Sequence, residues 1–355
     1  MSGARALAPA SPVAVSWSRA MSRVGVGPWR RRTGPAMRAY CAAHGPRFIQ
    51  LMEWWGVMRQ SAWSNAPWVE APSRLHGHRM RLDLSDYYQR FAAVMGCYHE
   101  VHVLAVIRRG VRAGEAMIDG GSNTGVLACH AAGWLGPAGR LDAFEANPAS
   151  ADQTAWHFEA NELTQCHLHR VGLADAEGEA TVSMPDPGNT GSATLHGSPE
   201  RLARWSRDVA RIRTRAIDVA LRDEGLERDE RPLLIKLDIE GSELAALRGA
   251  EATIDRRRPA IVMEVNDEML ALAGASVEDV ARWLASRGYE PFAFRRGWMR
   301  RLYRLSLHPL GTIEDLSRAR DALWIRRDGP HWSRYAPLIG GPLPPEPPEP
   351  PEADD

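Results

Sequence analysis

The stretch Ile118-Asp119-Gly120-Gly121-Ser122-Asn123-Thr124-Gly125 is the most informative part of this chain, because it lies where a predicted strand meets a predicted helix. Glycines let the backbone turn sharply and approach a ligand, and the first turn of a helix presents free amides. The spacing D-x-G-x-N-x-G differs from the G-x-G-x-x-G of dinucleotide-binding folds. We therefore expect a site for a smaller, zwitterionic nucleoside, with Asp119 suited to an ammonium group. A purely structural turn is the alternative.

A second motif, Asp142-Ala143-Phe144-Glu145-Ala146-Asn147-Pro148, predicts a short strand that ends in Glu145. Asn147 is then the N-cap of a helix and Pro148 its first residue. Glu145 lies 20 residues after Gly125, the offset at which an acid on the second strand reaches a ribose diol beside the first loop. The pair of motifs favours a nucleoside cofactor over a surface acid at a strand end.

The third motif is Leu233-Leu234-Ile235-Lys236-Leu237-Asp238-Ile239-Glu240-Gly241, an apolar strand that contains the only lysine of the chain. Ligands of open parallel sheets bind outside the carboxyl ends of the strands, so we expect Asp238 and Glu240 to face the cleft. A buried ammonium needs an acidic partner. We expect Lys236 to form a structural ion pair with Asp238 or Glu264.

The order of these motifs resembles that of the FkbM-type S-adenosylmethionine-dependent methyltransferases. The resemblance covers about residues 100–328 and rests on six segments, at residues 119–125, 144–148, 171–175, 189–194, 236–241 and 263–264. It implies a Rossmann-like class I methyltransferase fold with a seven-stranded sheet. It also implies methylation of a hydroxyl, often on a sugar or a macrocyclic natural product.

Site residues follow from the resemblance position by position. Those implied to bind the methionine and ribose portions of S-adenosylmethionine are Asp119, Gly121, Asn123 and Gly125. Glu145 would hold the ribose hydroxyls, and Asp175, after the third strand, would lie near the adenine. Gly120 departs from the pattern, because such loops more often carry an apolar residue there.

Methyl transfer from a sulfonium to a hydroxyl oxygen is an in-line displacement, so most of the catalysis should come from alignment. A carboxylate that removes the hydroxyl proton could add about 10² to 10⁴-fold. The candidates are Asp238 and Glu240, with Glu264 on the next strand as an orienting partner. Acids placed so close together should push one pKa upward. Asp238 and Glu240 could instead hold a divalent cation; we prefer the metal-free version, because the sequence identifies no third oxygen ligand.

Beyond residue 114, short apolar runs alternate with amphipathic stretches, which predicts an α/β fold with a mostly parallel sheet. We expect seven strands, at residues 116–119, 141–145, 167–173, 233–238, 261–265, 292–294 and 323–326. The last two should pair antiparallel as an edge hairpin. Helices are predicted at 124–132, 148–161, 243–254 and 277–287.

Composition divides the chain into four segments. Residues 1–47 contain arginine but no acid and are predicted to be a flexible arm. Residues 48–113, rich in tryptophan, are predicted to be an N-terminal helical extension or lid, with Ser85 as a helix N-cap. Residues 114–328 are predicted to form the methyltransferase domain that the resemblance implies, and residues 329–355 a flexible tail rich in proline and acids.

Charge and motif content exclude several classes of protein. The chain has 44 basic and 44 acidic residues, so its net charge does not attract nucleic acid or anionic membrane. No apolar run approaches the roughly 20 residues that span a bilayer, and we expect a cytoplasmic protein. Walker A and G-x-S-x-G motifs are absent, and His99-Glu100-Val101-His102 has the wrong spacing for a zincin helix.

Three other functions are compatible with the sequence. A nucleic-acid methyltransferase is suggested by the arginines at 201, 204, 207, 211, 213 and 215. A cofactor-binding scaffold without turnover, joined to partners by its proline-rich tail, is the second alternative, and a nicotinamide-dependent oxidoreductase is the third. The preferred partner is a small-molecule or glycan hydroxyl acceptor, with no nucleic acid; the sequence does not indicate an oligomeric state.

Overall fold

The computed structural model describes residues 48–183, 193–196, 209–297 and 304–341, together with residues 36, 39 and 190. Several predicted features lie outside these residues: most of the arginine-rich arm, residues 342–355 of the predicted tail, part of the motif at 189–194, and the arginines at 201, 204 and 207. Residues 329–341 of the predicted tail are described, and they include a helix at Trp332–Tyr335 whose Tyr335 is fully buried. Within the described part of the chain, no helix combines the length and the apolar character that crossing a membrane requires.

The described residues contain thirteen strands and twelve α-helices. The strands are β1 (Trp68–Pro72), β2 (Arg79–Asp83), β3 (Ala116–Gly120), β4 (Arg140–Phe144), β5 (Cys166–His169), β6 (Gly172–Leu173), β7 (Gly178–Ser183), β8 (Val209–Arg215), β9 (Leu233–Leu237), β10 (Ala260–Glu264), β11 (Glu290–Gly297), β12 (Arg304–Pro309) and β13 (Asp321–Ile325). The helices are α1 (Phe48–Trp55), α2 (Tyr87–Met95), α3 (Val101–Gly110), α4 (Val126–Leu135), α5 (Pro148–Ala160), α6 (Ile217–Asp223), α7 (Glu243–Gly249), α8 (Glu251–Arg257), α9 (Asp267–Leu272), α10 (Val277–Ala285), α11 (Ile313–Ala319) and α12 (Trp332–Tyr335).

The main sheet has the mostly parallel α/β architecture that the sequence predicts. Its strand order is β12-β11-β13-β10-β9-β3-β4-β5. The run from β10 to β5 is parallel, whereas β13 pairs antiparallel with both β10 and β11. Chain order reverses between β3 and β9, and a parallel sheet opens a crevice at such a point, outside the carboxyl ends of its strands.

Side chains at successive positions of a strand point to opposite faces of this sheet, and both faces are covered by apolar cores. On β9, Leu234 packs into the core that contains the N-terminal extension, while Leu233, Ile235 and Leu237 pack into the core on the other face. This is the alternation that a strand covered on both faces requires. Lys236 shares its face with Leu234, so the face that carries the extension also carries the buried ammonium.

Four local predictions need correction. The sheet has an eighth strand, β12, whose alternating Leu305 and Leu307 were overlooked and which forms the edge beside β11. The strand predicted at 167–173 is split: β5 stays in the main sheet, and β6 joins a three-stranded sheet with β8 and β7. The N-cap of α2 is Asp86, not Ser85, because the Asp86 carboxylate accepts the Gln89 N–H at 2.9 Å. The helix predicted at 243–254 is two helices, α7 and α8.

The segment before β3 contains a hairpin as well as helices. Strands β1 and β2 pair antiparallel, and Trp55 and Trp63 are fully buried while Trp54 is exposed. Arg90 of α2 has no exposed surface, and its guanidinium donates to the Val57 and Leu84 carbonyls at 2.8 Å. These bonds join α2 to the segments around Val57 and Leu84 and so hold the N-terminal extension together.

Candidate functional site

A cleft lies at the carboxyl ends of β3, β4, β9 and β10. Its enclosed volume is about 150 Å³, and its mouth is open to solvent. Its walls include Gly121, Asn123 and Glu145 on one side of the switch in strand order, and Asp238 and Glu240 on the other. The predicted loop, ribose acid and candidate bases therefore line one cleft.

The loop after β3 adopts a backbone that its sequence is suited to. Gly121 has φ +73°, and a Cβ there would overlap the Asp238 carbonyl oxygen of the neighbouring loop. Asn123 has φ +48°, a conformation that asparagine tolerates better than most residues. Gly125, at φ +76°, is the N-cap of α4 and lies against Thr154 of α5, beneath the cleft wall. Glycine is required at residue 121 because two loops touch there.

Glu145 is joined to this loop by its side chain. One carboxylate oxygen accepts the Asn123 N–H at 2.6 Å, and the other accepts the Asn147 N–H at 2.7 Å. Burial raises the pKa of Glu145 to about 7, although the two amide hydrogen bonds act in the opposite direction. Each oxygen keeps a second lone pair, so the carboxylate can still accept hydrogen bonds from a ligand.

Ser122 is a site residue that the sequence analysis did not single out. It lines the cleft, and its hydroxyl is buried without a hydrogen-bond partner among the described residues. Buried hydroxyls are normally satisfied, and an unpaired one at a cleft wall indicates a group supplied by a ligand or water. The sequence could have indicated Ser122, because this residue lies inside the loop motif at 118–125.

Lys236 lies behind the loop with two acids around it. Its ammonium is 3.4 Å from Asp119 and 3.3 Å from Asp238, and it donates to the Gly121 carbonyl at 2.8 Å. Burial alone would lower the pKa of Lys236, but Asp238 and Asp119 outweigh it and raise the pKa, so the ammonium stays charged. Asp238 was a predicted partner and Asp119 was not; Glu264 is not among the ion-pair partners of Lys236.

Asp119 and Asp175 do not reach the cleft wall. Asp119 has no exposed surface and contacts Lys236 from β3, which pairs directly with β9 at this register. Asp175 follows β6, is exposed, and is not among the residues that line the cleft. Of the residues that the family resemblance assigns to the cofactor, the structure therefore brings Gly121, Asn123 and Glu145 to the cleft surface.

The candidate catalytic acids meet at the ends of β9 and β10. Asp238, Glu240 and Glu264 all line the cleft, and the Asp238 side chain is 33% exposed. Burial, together with the charges of Asp238 and Glu240, raises the pKa of Glu264 to about 9. The raised pKa favours the protonated form of Glu264, which suits a hydrogen-bond donor rather than a base.

Glu243 is a second residue that sequence reasoning missed. It is 2% exposed at the start of α7, and its carboxyl group accepts the backbone N–H groups of Ile239 and Gly241. These bonds hold the turn in which Glu240 has φ +51° and Gly241 has φ +107°. Glu243 therefore shapes the loop that carries the candidate bases.

The N-terminal extension supplies another part of the cleft wall. Tyr88, Tyr98, His99 and Glu100 line it. The Tyr98 hydroxyl donates to Glu100 at 2.6 Å, and the Tyr88 and His99 rings are 4.5 Å apart. Burial and the charges of Asp238 and Asp321 raise the pKa of Glu100 to about 7. No sequence pattern linked these residues to the site, because they lie before the first motif.

Comparison with known proteins matches part of the chain to a family model. Residues 119–291 match the family model described as a methyltransferase FkbM domain. A comparison with curated proteins gave no significant match. Among solved structures, the chain is similar to a methyltransferase FkbM from Methylobacillus flagellatus KT, with 14% identity and a TM-score of 0.36, over 85% of this chain and 60% of that one. The chain thus spans less than two thirds of that protein's length.

Two further solved structures are similar at the same level. A precorrin-6y C5,15-methyltransferase from Geobacter metallireducens GS-15 has 15% identity and a TM-score of 0.32, over 64% of this chain and 88% of that one. An O-methyltransferase from Bacillus cereus, in complex with SAH, has 13% identity and a TM-score of 0.34, over 64% of this chain and 79% of that one.

Proposed function

Since residues 119–291 belong to the FkbM family of S-adenosylmethionine-dependent methyltransferases, we propose that the cleft binds S-adenosylmethionine and that the protein methylates a hydroxyl of a sugar, a glycolipid or a macrocyclic natural product. The observation that carries the proposal is the bond from the Asn123 N–H to Glu145, because it joins the loop and the ribose acid on one cleft wall.

The residues of the cleft fit this cofactor. Glu145 would accept from the ribose hydroxyls, and Gly121 leaves the loop backbone open to a close approach. The unpaired Ser122 hydroxyl supplies one more polar contact. Asp119, fully buried against Lys236, would act as a positioning residue for the loop. When bound, S-adenosylmethionine supplies an electrophilic methyl group.

Proton removal from the acceptor is the task we assign to Asp238 or Glu240. Both line the cleft, whereas the raised pKa of Glu264 favours its protonated form, which would orient the acceptor by donating a hydrogen bond. The acceptor would also contact Tyr88 and His99 of the extension, whose rings offer a stacking surface for a sugar or macrocycle.

A neutral acceptor is favoured over nucleic acid by the charges of the cleft. Its walls include five carboxyl groups and a single lysine, which is already held by two acids. Arg211 and Arg215 of β8, candidates for a nucleic-acid face, pair with Glu179 and Glu177 at 3.1 and 3.3 Å. A phosphate backbone would find little uncompensated positive charge at these places.

Two measurements test the proposal in sequence. Calorimetric titration with S-adenosylhomocysteine should give saturable binding to the full-length protein, and Glu145→Ala should weaken it. Incubation with methyl-labelled S-adenosylmethionine and extracts separated into glycan, lipid, small-metabolite and RNA pools should then label a hydroxylated product. Absence of binding would remove the cofactor site, and labelling of the RNA pool alone would replace the proposed acceptor.

A further inference from the structure

Beside the cleft, three metal-ligating side chains from separate parts of the chain converge. Glu100 precedes α3, His102 lies in its first turn, and Asp321 is the first residue of β13. One ligand atom from each lies within 4.8 Å of the other two. We propose that Glu100, His102 and Asp321 bind a divalent first-row transition ion, of the class of Mn²⁺, Fe²⁺ or Zn²⁺.

The spacing of the donor atoms fits a shared ion. His102 Nε2 lies 3.0 Å from Asp321 Oδ2. Two donors at right angles on one ion, each with a bond of about 2.1 Å, are also about 3.0 Å apart. One imidazole and two carboxylates form a mixed nitrogen and oxygen donor set, which suits these ions better than it suits copper(I).

The carboxylates of this cluster have no arginine or lysine partner among the described residues. Among the described residues, Asp321 forms an ion pair with His102, and Glu100 has His99 at 4.0 Å and the Tyr98 hydroxyl. Glu264 stands directly opposite Asp321 in the β10–β13 register, which adds another carboxyl group. No described arginine or lysine pairs with either of the two ligand carboxylates.

A second cluster of the same residue types provides the contrast. Asp142, His169 and Glu224 also bring their ligand atoms together. There, however, Arg140 donates to both oxygens of Asp142, at 2.7 and 2.8 Å, and also to Glu224. The guanidinium occupies the position of a cation in this cluster, whereas no described arginine or lysine pairs with Glu100 or Asp321.

The position of the site gives the ion a role at the edge of the cleft. Glu100 both belongs to the donor set and lines the cleft. With three protein ligands, an ion keeps open positions for oxygen atoms of a ligand, as catalytic metal sites do. Such an ion would hold an oxygen of the methyl acceptor, a role that rests on the proposed function; metal binding itself does not.

The test is a titration of metal-stripped, full-length protein with Mn²⁺, followed by the loss of the free-ion electron paramagnetic resonance signal. We expect one site per chain. His102→Gln, which keeps a hydrogen-bond donor beside Asp321, and Asp321→Ala should each weaken Mn²⁺ binding more than about tenfold, because even the partners of metal ligands contribute 10 to 100-fold. His169→Ala, in the arginine-filled cluster, should leave binding unchanged.

The controls separate loss of the site from loss of the fold. Each variant must keep the metal-free melting temperature and its affinity for S-adenosylhomocysteine. The proposal is overturned if the wild-type protein shows no saturable Mn²⁺ binding, if both variants of the site bind as the wild type does, or if His169→Ala weakens binding equally. A wild-type protein that binds S-adenosylhomocysteine but shows no saturable Mn²⁺ binding would reject the ion and leave the proposed function standing.

Discussion

The Glu145 carboxylate accepts the backbone N–H of Asn123 at 2.6 Å, so the acid that follows β4 is fixed to the loop that follows β3. Its second oxygen accepts the N–H of Asn147 at the start of α5. One side chain therefore sets the positions of two loops of the cleft. A ligand that bonds to Glu145 meets a group whose orientation is already determined, which lowers the entropic cost of binding.

The raised pKa of Glu145 predicts that cofactor affinity depends on pH. Its carboxyl group titrates at about 7, and ribose hydroxyls donate best to the ionised form. Affinity for S-adenosylhomocysteine should therefore rise with pH and be about tenfold weaker at pH 6 than at pH 8. Calorimetry at pH 6, 7 and 8 measures this dependence directly.

Glu145→Gln provides the control for this dependence. Its amide oxygen can accept one of the two backbone N–H groups but does not titrate, so the affinity of the variant should be low and the same at each pH. If the affinity of the variant changes with pH as much as that of the wild type does, the pH dependence belongs to another group.

The raised pKa of Glu145 also affects the stability of the fold. In the wild type, the folded state holds the Glu145 proton more tightly than the unfolded chain, so the contribution of Glu145 to stability is lost as pH rises from about 4.5 to about 7.

Gly121→Ala should damage both stability and cofactor binding. A methyl group at residue 121 would overlap the Asp238 carbonyl and would also occupy a backbone with φ +73°. Gly114→Ala is the matched control, because Gly114 has φ +83° with nothing within 4 Å of its added Cβ. The control should lose about 1 kcal/mol from the backbone conformation alone.

Urea unfolding and calorimetry of the two alanine variants separate these effects. Gly121→Ala should lose more unfolding free energy than Gly114→Ala, and it alone should lose affinity for S-adenosylhomocysteine. Equal losses of stability with unchanged affinity in both variants would show that the loop can move away from Asp238 without consequence.

The sheet was predictable because its strands carry strong local signals. Runs such as 233–237 carry apolar residues on both faces, and acids or glycines follow them, which marks a parallel strand that ends at a site. Strand β12 was missed because its apolar positions are few, and only Leu305 and Leu307 alternate with polar residues. The motifs likewise predicted Gly121, Asn123, Glu145, Asp238 and Glu240 on one cleft.

The remainder of the site depends on contacts that no local pattern encodes. Asp119 partners Lys236 because β3 lies beside β9 in a register that pairs these two residues, and the sequence does not state which strands are neighbours. Glu100 and Tyr98 reach the cleft from a segment that precedes the first motif. Asp321 meets His102 across 219 residues of chain. Contacts between residues so far apart in the sequence produce no local periodic pattern from which they could be predicted.

Asp238→Asn should reduce methyl transfer by about 10² to 10⁴-fold if Asp238 removes the acceptor proton. Binding of S-adenosylhomocysteine should persist, because Asp119 still compensates Lys236 after the substitution. Glu240→Gln is the companion variant, since Glu240 lines the same cleft. Turnover is measured with labelled S-adenosylmethionine and the acceptor fraction that supports it; full activity in Asp238→Asn would assign the base to Glu240 or elsewhere.

Lys236→Met should destabilise the fold strongly, because it leaves Asp119 buried without its counter-charge. Asp119 has no exposed surface, and the Lys236 ammonium at 3.4 Å is the partner that compensates its charge. Removing one member of a buried pair typically costs about 3–5 kcal/mol, whereas an exposed pair is worth less than about 1 kcal/mol.

Arg282→Ala is the surface control, since Arg282 and Glu278 are both 64% exposed. Urea unfolding should show a large loss of unfolding free energy only for Lys236→Met, and the double variant Lys236→Met with Asp119→Asn should recover part of that loss. If Lys236→Met costs no more than Arg282→Ala, or if the double variant recovers nothing, the pair does not hold the loop in place.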